Sequence, residues 1–236
     1  HSLYTTFQLQ KNFVDGILKG LYLNGSYSFG QSRGVTDGTS SVATSAWKYR
    51  AALDGNAEEV GYTAGSFDGR LLLSASYTAN WSKYAATSFG LIYQRYRPFR
   101  YSYCYNGDAN GDSQFSNDLM YIPANFDEVK DHLLPGDFDS QEDAWKAMNA
   151  FIEQDPYLSK HRGEYAERNG AVAPFANQLD LSVSHDIKIY QKNGRSHTLR
   201  FSFNIANFLN LLNRNWGVVQ TTVLGNQQYQ FLTIPK

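Results

Sequence analysis

The sequence predicts an all-β chain: an antiparallel up-and-down transmembrane β-barrel segment with long extracellular loops and a short helix in the longest of them. Two observations carry that expectation. Runs of alternating apolar and polar residues recur along most of the 236 residues, and period-two alternation sends successive side chains to opposite faces of a strand. The connections between those runs also alternate in length. Val14-Asp15-Gly16 is tight, Gly30 to Ser66 is long, Asn80 to Tyr84 is tight, Asn106 to Pro174 is long, and Gln191 to Ser196 is tight. A barrel crossing a membrane turns its short connections to one side and its long loops to the other. A soluble sandwich has no physical reason to sort its loops by length.

The first hairpin is expected to bring Leu3, Phe7 and Leu9, then Ile17, Leu21, Leu23, Tyr27 and Phe29, to one face. The next strand sets Phe67, Gly69, Leu71, Leu73, Ala75, Tyr77, Ala79 and Trp81 against Asp68, Arg70, Leu72, Ser74, Ser76, Thr78 and Asn80. A strand from about Tyr84 to Tyr105 sets Phe89, Leu91 and Tyr93 against Ser88, Gly90 and Gln94. The split is cleanest later, with Leu179, Leu181, Val183, His185, Ile187 and Ile189 opposed by Gln178, Asp180, Ser182, Ser184, Asp186 and Lys188. Leu199, Phe201, Phe203 and Ile205 repeat it against Thr198, Arg200, Ser202 and Asn204. A soluble antiparallel sandwich with one wet face would alternate in the same way. Strands of roughly ten residues or more, however, suit a tilted membrane strand of about nine to eleven better than an ordinary globular sheet. Residues 1–236 are thus expected to be part of one barrel domain, with 106–174 its long extracellular loop.

Within that loop Asp139-Ser140-Gln141-Glu142 reads as a helix cap, and Ala144, Trp145, Ala147, Met148, Phe151 and Ile152 as an apolar stripe ended by Asp155-Pro156. The stripe needs the rest of the loop to pack on. It either stiffens the loop or contributes to a ligand contact.

Lys and Arg number 21 against 22 Asp and Glu, leaving a net charge of −1 and no basic tract, so nucleic acid is not an expected partner. The 17 Tyr and 15 Phe sit in a chain of mean hydropathy −0.48. Polar on average yet rich in aromatics, it fits a barrel wall with aromatic girdles outside and a wet interior. The single cysteine, Cys104, excludes an intramolecular disulfide and a cysteine-based zinc site. No run of about eighteen apolar residues predicts a membrane helix, and His1-Ser2-Leu3 does not open a signal peptide.

No GxSxG, P-loop or cysteine–histidine pairing points to a nucleophile, and the expectation is a protein without catalytic activity. His1, His132, His161, His185 and His197 lack ligand spacing, and His185 fits a barrel rim. Folding still has the freedom to bring two of the many Asp and Glu side chains of the long loop together. Asp108, Asn110 and Asp112 stand at alternate positions with Gly111 at the bend and Asp118 further on. That is an oxygen-rich wrapping for calcium. Leu119 falls where a twelve-residue loop would carry its closing glutamate, and an Asx-rich turn is the alternative. Tyr101, Tyr103 and Tyr105 with Arg95, Arg97 and Arg100 are expected as an exposed cluster at the loop mouth, either an aromatic girdle with snorkelling arginines or a sugar or peptide contact.

Several longer segments stand in a fixed order: Ser26-Tyr27-Ser28-Phe29-Gly30 with Ser45-Ala46-Trp47, Phe67-Asp68-Gly69-Arg70 leading into Leu73-Ser74-Ala75-Ser76-Tyr77, and Gly107-Asp108-Ala109-Asn110-Gly111-Asp112. Asn117-Asp118-Leu119-Met120-Tyr121-Ile122-Pro123, Asn177-Gln178-Leu179-Asp180-Leu181 and Phe203-Asn204-Ile205-Ala206-Asn207-Phe208-Leu209-Asn210 follow. Together these segments resemble the barrel of TonB-dependent outer-membrane receptors of the Bacteroidetes type, Oar-like branch. The resemblance implies a 22-strand barrel with an N-terminal plug, importing a ligand across the outer membrane with energy delivered through TonB. It also implies as partners outer-membrane lipid, the remaining strands and plug, TonB through the plug region, and a surface lipoprotein. With about seven or eight strands, no plug segment before His1 and an end at Ile234-Pro235-Lys236 rather than on an aromatic, the chain is expected to be a C-terminal-side piece that transports nothing alone. The runner-up is a surface-exposed barrel for binding or adhesion.

Overall fold

The computed structural model describes residues 1–38, 40–190, 196–220 and 228–233. The chain is all-β, with few helices. In order its elements are β1 (Ser2–Asn12), β2 (Leu21–Gly34), α1 (Ala43–Lys48), β3 (Gly61–Tyr62), β4 (Phe67–Ser82), β5 (Ala85–Tyr96), β6 (Arg100–Asn106) and β7 (Tyr121–Ile122). Then come α2 (Gln141–Gln154), β8 (Glu164–Tyr165), β9 (Ala171–Val172), β10 (Ala176–Tyr190), β11 (Ser196–Ile205), α3 (Phe208–Leu212) and β12 (Gln228–Thr233).

Six long strands form an antiparallel wall in the order β1-β2-β4-β5-β10-β11, with β3 added on β2. Among the described residues β1 and β11 are edges, so the sheet is open rather than closed into a barrel. The register carries the alternation across strands. Leu21 faces Tyr77, Tyr77 faces Phe89, Phe89 faces Val183 and Val183 faces Phe203, giving an apolar rib five strands wide. Another rib runs Leu23, Ala75, Leu91, Leu181, Ile205. The opposite face is hydrogen-bonded side chain to side chain: Thr6 with Ser28 at 2.9 Å, Gln8 to Asn24 at 2.9 Å, Arg70 to Gln94 at 2.8 Å, and Thr78 with Ser88 at 3.0 Å. Leu72 and Ile92 are apolar exceptions on this face.

Connections at one end are short. Residues 13–20 fold back through Gly20 N–H to the Phe13 carbonyl at 3.0 Å, and Lys83-Tyr84 joins β4 to β5. The turn expected at Gln191 to Ser196 lies almost entirely outside the described residues. At the other end residues 35–66 and 97–175 make the long connections.

Three sequence expectations change. Ile17 belongs to the connector, because β2 starts only at Leu21. Phe67 joins the polar face: the ladder shifts between Ser28 and Gly30, Gly69 sits at φ +149°, and Phe67 stacks on Tyr4 with centroids 5.4 Å apart. A β-bulge of this kind turns one residue to the other side. Gly30 lies beneath Tyr4, where a Cβ would collide with the ring. Finally, the strand expected from Tyr84 to Tyr105 is two strands. Pro98 has no N–H to give the ladder and restricts Arg97 before it, so the chain leaves the wall there.

Candidate functional site

The two long connections fold together into a cap, and the main hydrophobic core of the described residues lies in it. Tyr101, Tyr103, Met120, Ile122, Met148, Ile152, Leu158, Ala166 and Ala171 form one buried cluster. β6 enters this cluster from the wall, and β9 and β12 flank it, β12 running parallel to β6. The sequence expected Tyr101, Tyr103 and Tyr105 to be exposed at the loop mouth. Instead Tyr101 and Tyr103 are core residues, Tyr105 packs against them, and the Tyr103 hydroxyl donates to Asp155 Oδ2 at 2.7 Å. Burial pushes the Tyr103 phenol well above its ordinary value and that of Tyr157 up to about 12.

Helix α2 has the expected stripe and cap. Ser140 Oγ accepts the Asp143 N–H at 3.1 Å, and Ala144, Met148 and Ile152 are buried at four-residue spacing against the cluster. A cavity of about 1260 Å³ opens between α2, the segment 128–138 and β6, walled by Val129, Leu133, Phe138, Ala147 and Phe151, with Asn110 and Asp118 on its border.

Where cap meets wall, arginines tie the connections together. Arg100 is buried, ion-paired with Asp68, and its guanidinium lies 4.0 Å from the Tyr62 ring centre. Arg33 lies over the same ring at 4.2 Å and pairs with Glu167. Arg168 donates to the carbonyls of Gly34 and Val35, and Asn169 Nδ2 donates to the Tyr62 carbonyl at 2.8 Å. Arg95 and Arg97 stack on Phe175 at 4.4 and 4.2 Å. The arginines expected as snorkelling or ligand-binding groups are thus joint residues. Single arginines spaced through a sequence give no sign of which distant tyrosine or carbonyl they will meet.

The residues expected to hold calcium share one loop. Asp108 Oδ1 accepts the N–H of Gly111 at 2.7 Å and of Asp112 at 3.1 Å, and Oδ2 that of Ser113 at 2.9 Å. Asn110 Oδ1 accepts the Asp112 N–H at 2.9 Å, Asp112 Oδ1 the Gln114 N–H at 2.7 Å, and Asp118 Oδ2 the Ala109 N–H at 2.6 Å. The Asn110 and Asp112 bonds are Asx turns, whereas Asp108 gathers N–H groups three to five residues on and Asp118 reaches back nine residues across the loop. Among the described residues no three His, Cys, Asp or Glu side chains stand ready as a metal cage. Burial, with the Asp112 and Asp108 charges adding to it, raises the Asp118 carboxyl despite the backbone N–H groups that bond it. Cys104 is buried beside Ala51 and Leu119, and burial pushes its thiol up, away from reactivity. His185 sits on the apolar face with Nδ1 2.8 Å from Thr87 Oγ1, which accepts from Trp81 Nε1 at 2.7 Å.

Compared with protein families, curated proteins and solved structures, the chain matches none. Among the described residues no helix is long and apolar enough to cross a membrane, which says nothing of strands.

Proposed function

We propose that this chain is part of the wall and cell-surface loops of an outer-membrane TonB-dependent transporter that imports a ligand. One observation carries the membrane part of the reading: among the described residues the apolar face of the six-stranded wall meets no second layer. Leu9, Leu23, Tyr27, Leu73, Phe89, Leu199, Phe201 and Phe203 are all exposed on it, while the opposite face is polar. A water-facing sheet would not hold so much unpartnered apolar area. Lipid removes it from water, and a polar lumen suits the other face. From Leu71 to Ala79 the band covers about nine residues of β4, ~30 Å along the strand and roughly 20 Å along the membrane normal at the usual tilt. Trp81, Thr87 and His185 fall at the short-turn edge of this band, where amphipathic rings favour the interface. The open edges of β1 and β11 call for further strands, since a barrel in lipid leaves no edge unpaired. The importing activity rests on the motif resemblance to the Oar-like receptors, and with it the plug, TonB and a surface lipoprotein as partners.

Two measurements on the full-length protein test this. Protease added to intact cells is expected to cut within 30–66 or 106–174 and to spare Asp15-Gly16; cleavage at that turn from outside would invert the topology. Cross-linking in energised cells is expected to capture TonB. A protein cut at its surface loops that never contacts TonB is instead a binding or adhesion barrel.

A further inference from the structure

We infer that the acidic loop from Asp108 to Asp118 is a calcium site that locks the two long connections of the cap onto one another. Asp118 is only 3 % exposed, and among the described residues no donor stands within hydrogen-bonding geometry of its Oδ1. Its Oδ2 is fixed on the loop by the Ala109 N–H at 2.6 Å, so the orphaned oxygen of the same carboxylate lies beside the loop as well. A buried anionic oxygen without a donor is costly for a fold to hold, and a bound cation is one group that relieves it.

Charge points the same way. Among the described residues no ion pair joins Lys or Arg to Asp108, Asp112 or Asp118. Three carboxylates therefore share one loop without a protein counter-charge among the described residues. The available donors are all oxygens: the carboxylates of Asp108, Asp112 and Asp118 and the amide oxygen of Asn110. Gly111 at φ +79° makes the bend between them. Calcium accepts irregular oxygen sets of this kind, whereas magnesium demands a near-octahedral shell and keeps its waters. The side chains are not closed on one point in this structure, so ion entry has to draw Asp108 and Asp112 toward Asp118.

The loop's neighbours say what that closure would do. Asn110 Nδ2 donates to the Leu53 carbonyl at 3.3 Å, the Ala52 N–H donates to the Asn117 carbonyl at 3.0 Å, and the Leu119 N–H donates to the Ala52 carbonyl at 3.1 Å. The acidic loop belongs to the second long connection and residues 52–53 to the first. Ordering the loop around an ion orders the seam between them.

The test uses the full-length protein in detergent, stripped with chelator and then titrated with calcium or magnesium by calorimetry. Hydrogen exchange is followed over 107–121 and 50–60. Saturable calcium binding is expected, weakened at least tenfold in Asp118→Asn and in Asp112→Asn, with magnesium clearly weaker. Chelator is expected to speed exchange in both segments and calcium to restore it. Asp112 is only half-buried, so its variant folds where that of Asp118 fails. Unchanged exchange over both segments in the wild-type protein overturns the site even if neither variant folds. Calcium binding retained in both variants, or equal affinity for magnesium, overturns it too.

Discussion

The wall and the cap are built from the same kinds of apolar side chain and treat them in opposite ways. In the wall Phe203 is 65 % exposed and its cross-strand partner Val183 is 37 % exposed; in the cap Ile122, Ile152 and Leu158 are 0 % exposed. The cap supplies its own apolar environment by folding two connections and a helix over one another. The wall supplies a surface and a set of paired backbone groups, and among the described residues nothing packs over its apolar face. Apolar side chains of similar size thus stabilise the cap against water by packing on one another, while those of the wall, under the function proposed above, are removed from water by lipid.

Truncating the cap core tests this contrast most severely. Ile152→Ala removes a fully buried side chain from the centre of the cluster and is expected to destabilise the cap by about 2–5 kcal/mol. Hydrogen exchange in α2 and β6 should rise while the pairing of β4 with β5 stays protected. A loss of protection spread evenly over wall and cap would show that they unfold as one unit.

Substitutions in the wall come next. Val183→Arg puts a charge on the apolar rib between Phe89 and Phe203 and is expected to cost roughly 2–4 kcal/mol near the bilayer midplane. Ser184→Arg, one residue along and facing Ser88 and Ser202 on the polar side, is expected to leave stability nearly unchanged. Refolding into lipid vesicles measures both. Equal costs would undo the assignment of faces.

How much of this was legible in the sequence follows from the same contrast. Alternation from Leu179 to Ile189 marked a strand and its apolar face correctly, because the period of two is a local property of the backbone. It did not say what the apolar face meets. Tyr101, Tyr103 and Tyr105 alternate as wall residues do, yet β6 lies in the cap with protein on both sides. The clue was Pro98, which cannot continue a ladder. Phe67 was read on the wrong side because the bulge at Gly69 shifts the register, and an isolated glycine in a strand pattern is the only local sign of it. The capping sequence of α2 was legible residue by residue. The Arg33–Tyr62–Arg100 stack and the seam between Ala52 and Asp118 were not, since each depends on partners 29 to 66 residues away that no local pattern encodes.

Alkali separates the two regions without mutation. The half-buried Tyr157 and the buried Tyr103 hold their phenols above the ordinary value of 10, Tyr157 at about 12. A phenol whose folded value is raised contributes stability that is whole below pH 10 and is lost as pH climbs from 10 toward 12, because only the unfolded state ionises there. The cap is expected to loosen over that window, as read by tyrosinate absorbance together with exchange in α2. Tyr157→Phe should flatten the pH dependence. A cap that holds unchanged to pH 12 would mean that these hydroxyls are not buried as described.

The mildest change sharpens the comparison most finely, because it touches the cap at one hydrogen-bond pair. Ser140 Oγ accepts the Asp143 N–H at 3.1 Å and donates to Asp143 Oδ2 at 2.8 Å, closing the first turn of α2. Lys146, 2.7 Å from Asp143, and then the Ser140 hydroxyl hold the Asp143 carboxyl below the usual carboxylate range. Ser140→Ala leaves the Asp143 N–H without its side-chain acceptor and is expected to cost about 1 kcal/mol of cap stability. Ser140→Asn keeps an oxygen acceptor at the cap and should recover most of it. Exchange at the first turn of α2 is the sensitive readout, since fraying there precedes any opening of the core around Ile152. The wall has no helix end to fray and should not respond. A response in β4 or β5 to so local a change would mean that the cap's stability is transmitted across the arginine joint, and that wall and cap are less separate than their packing indicates.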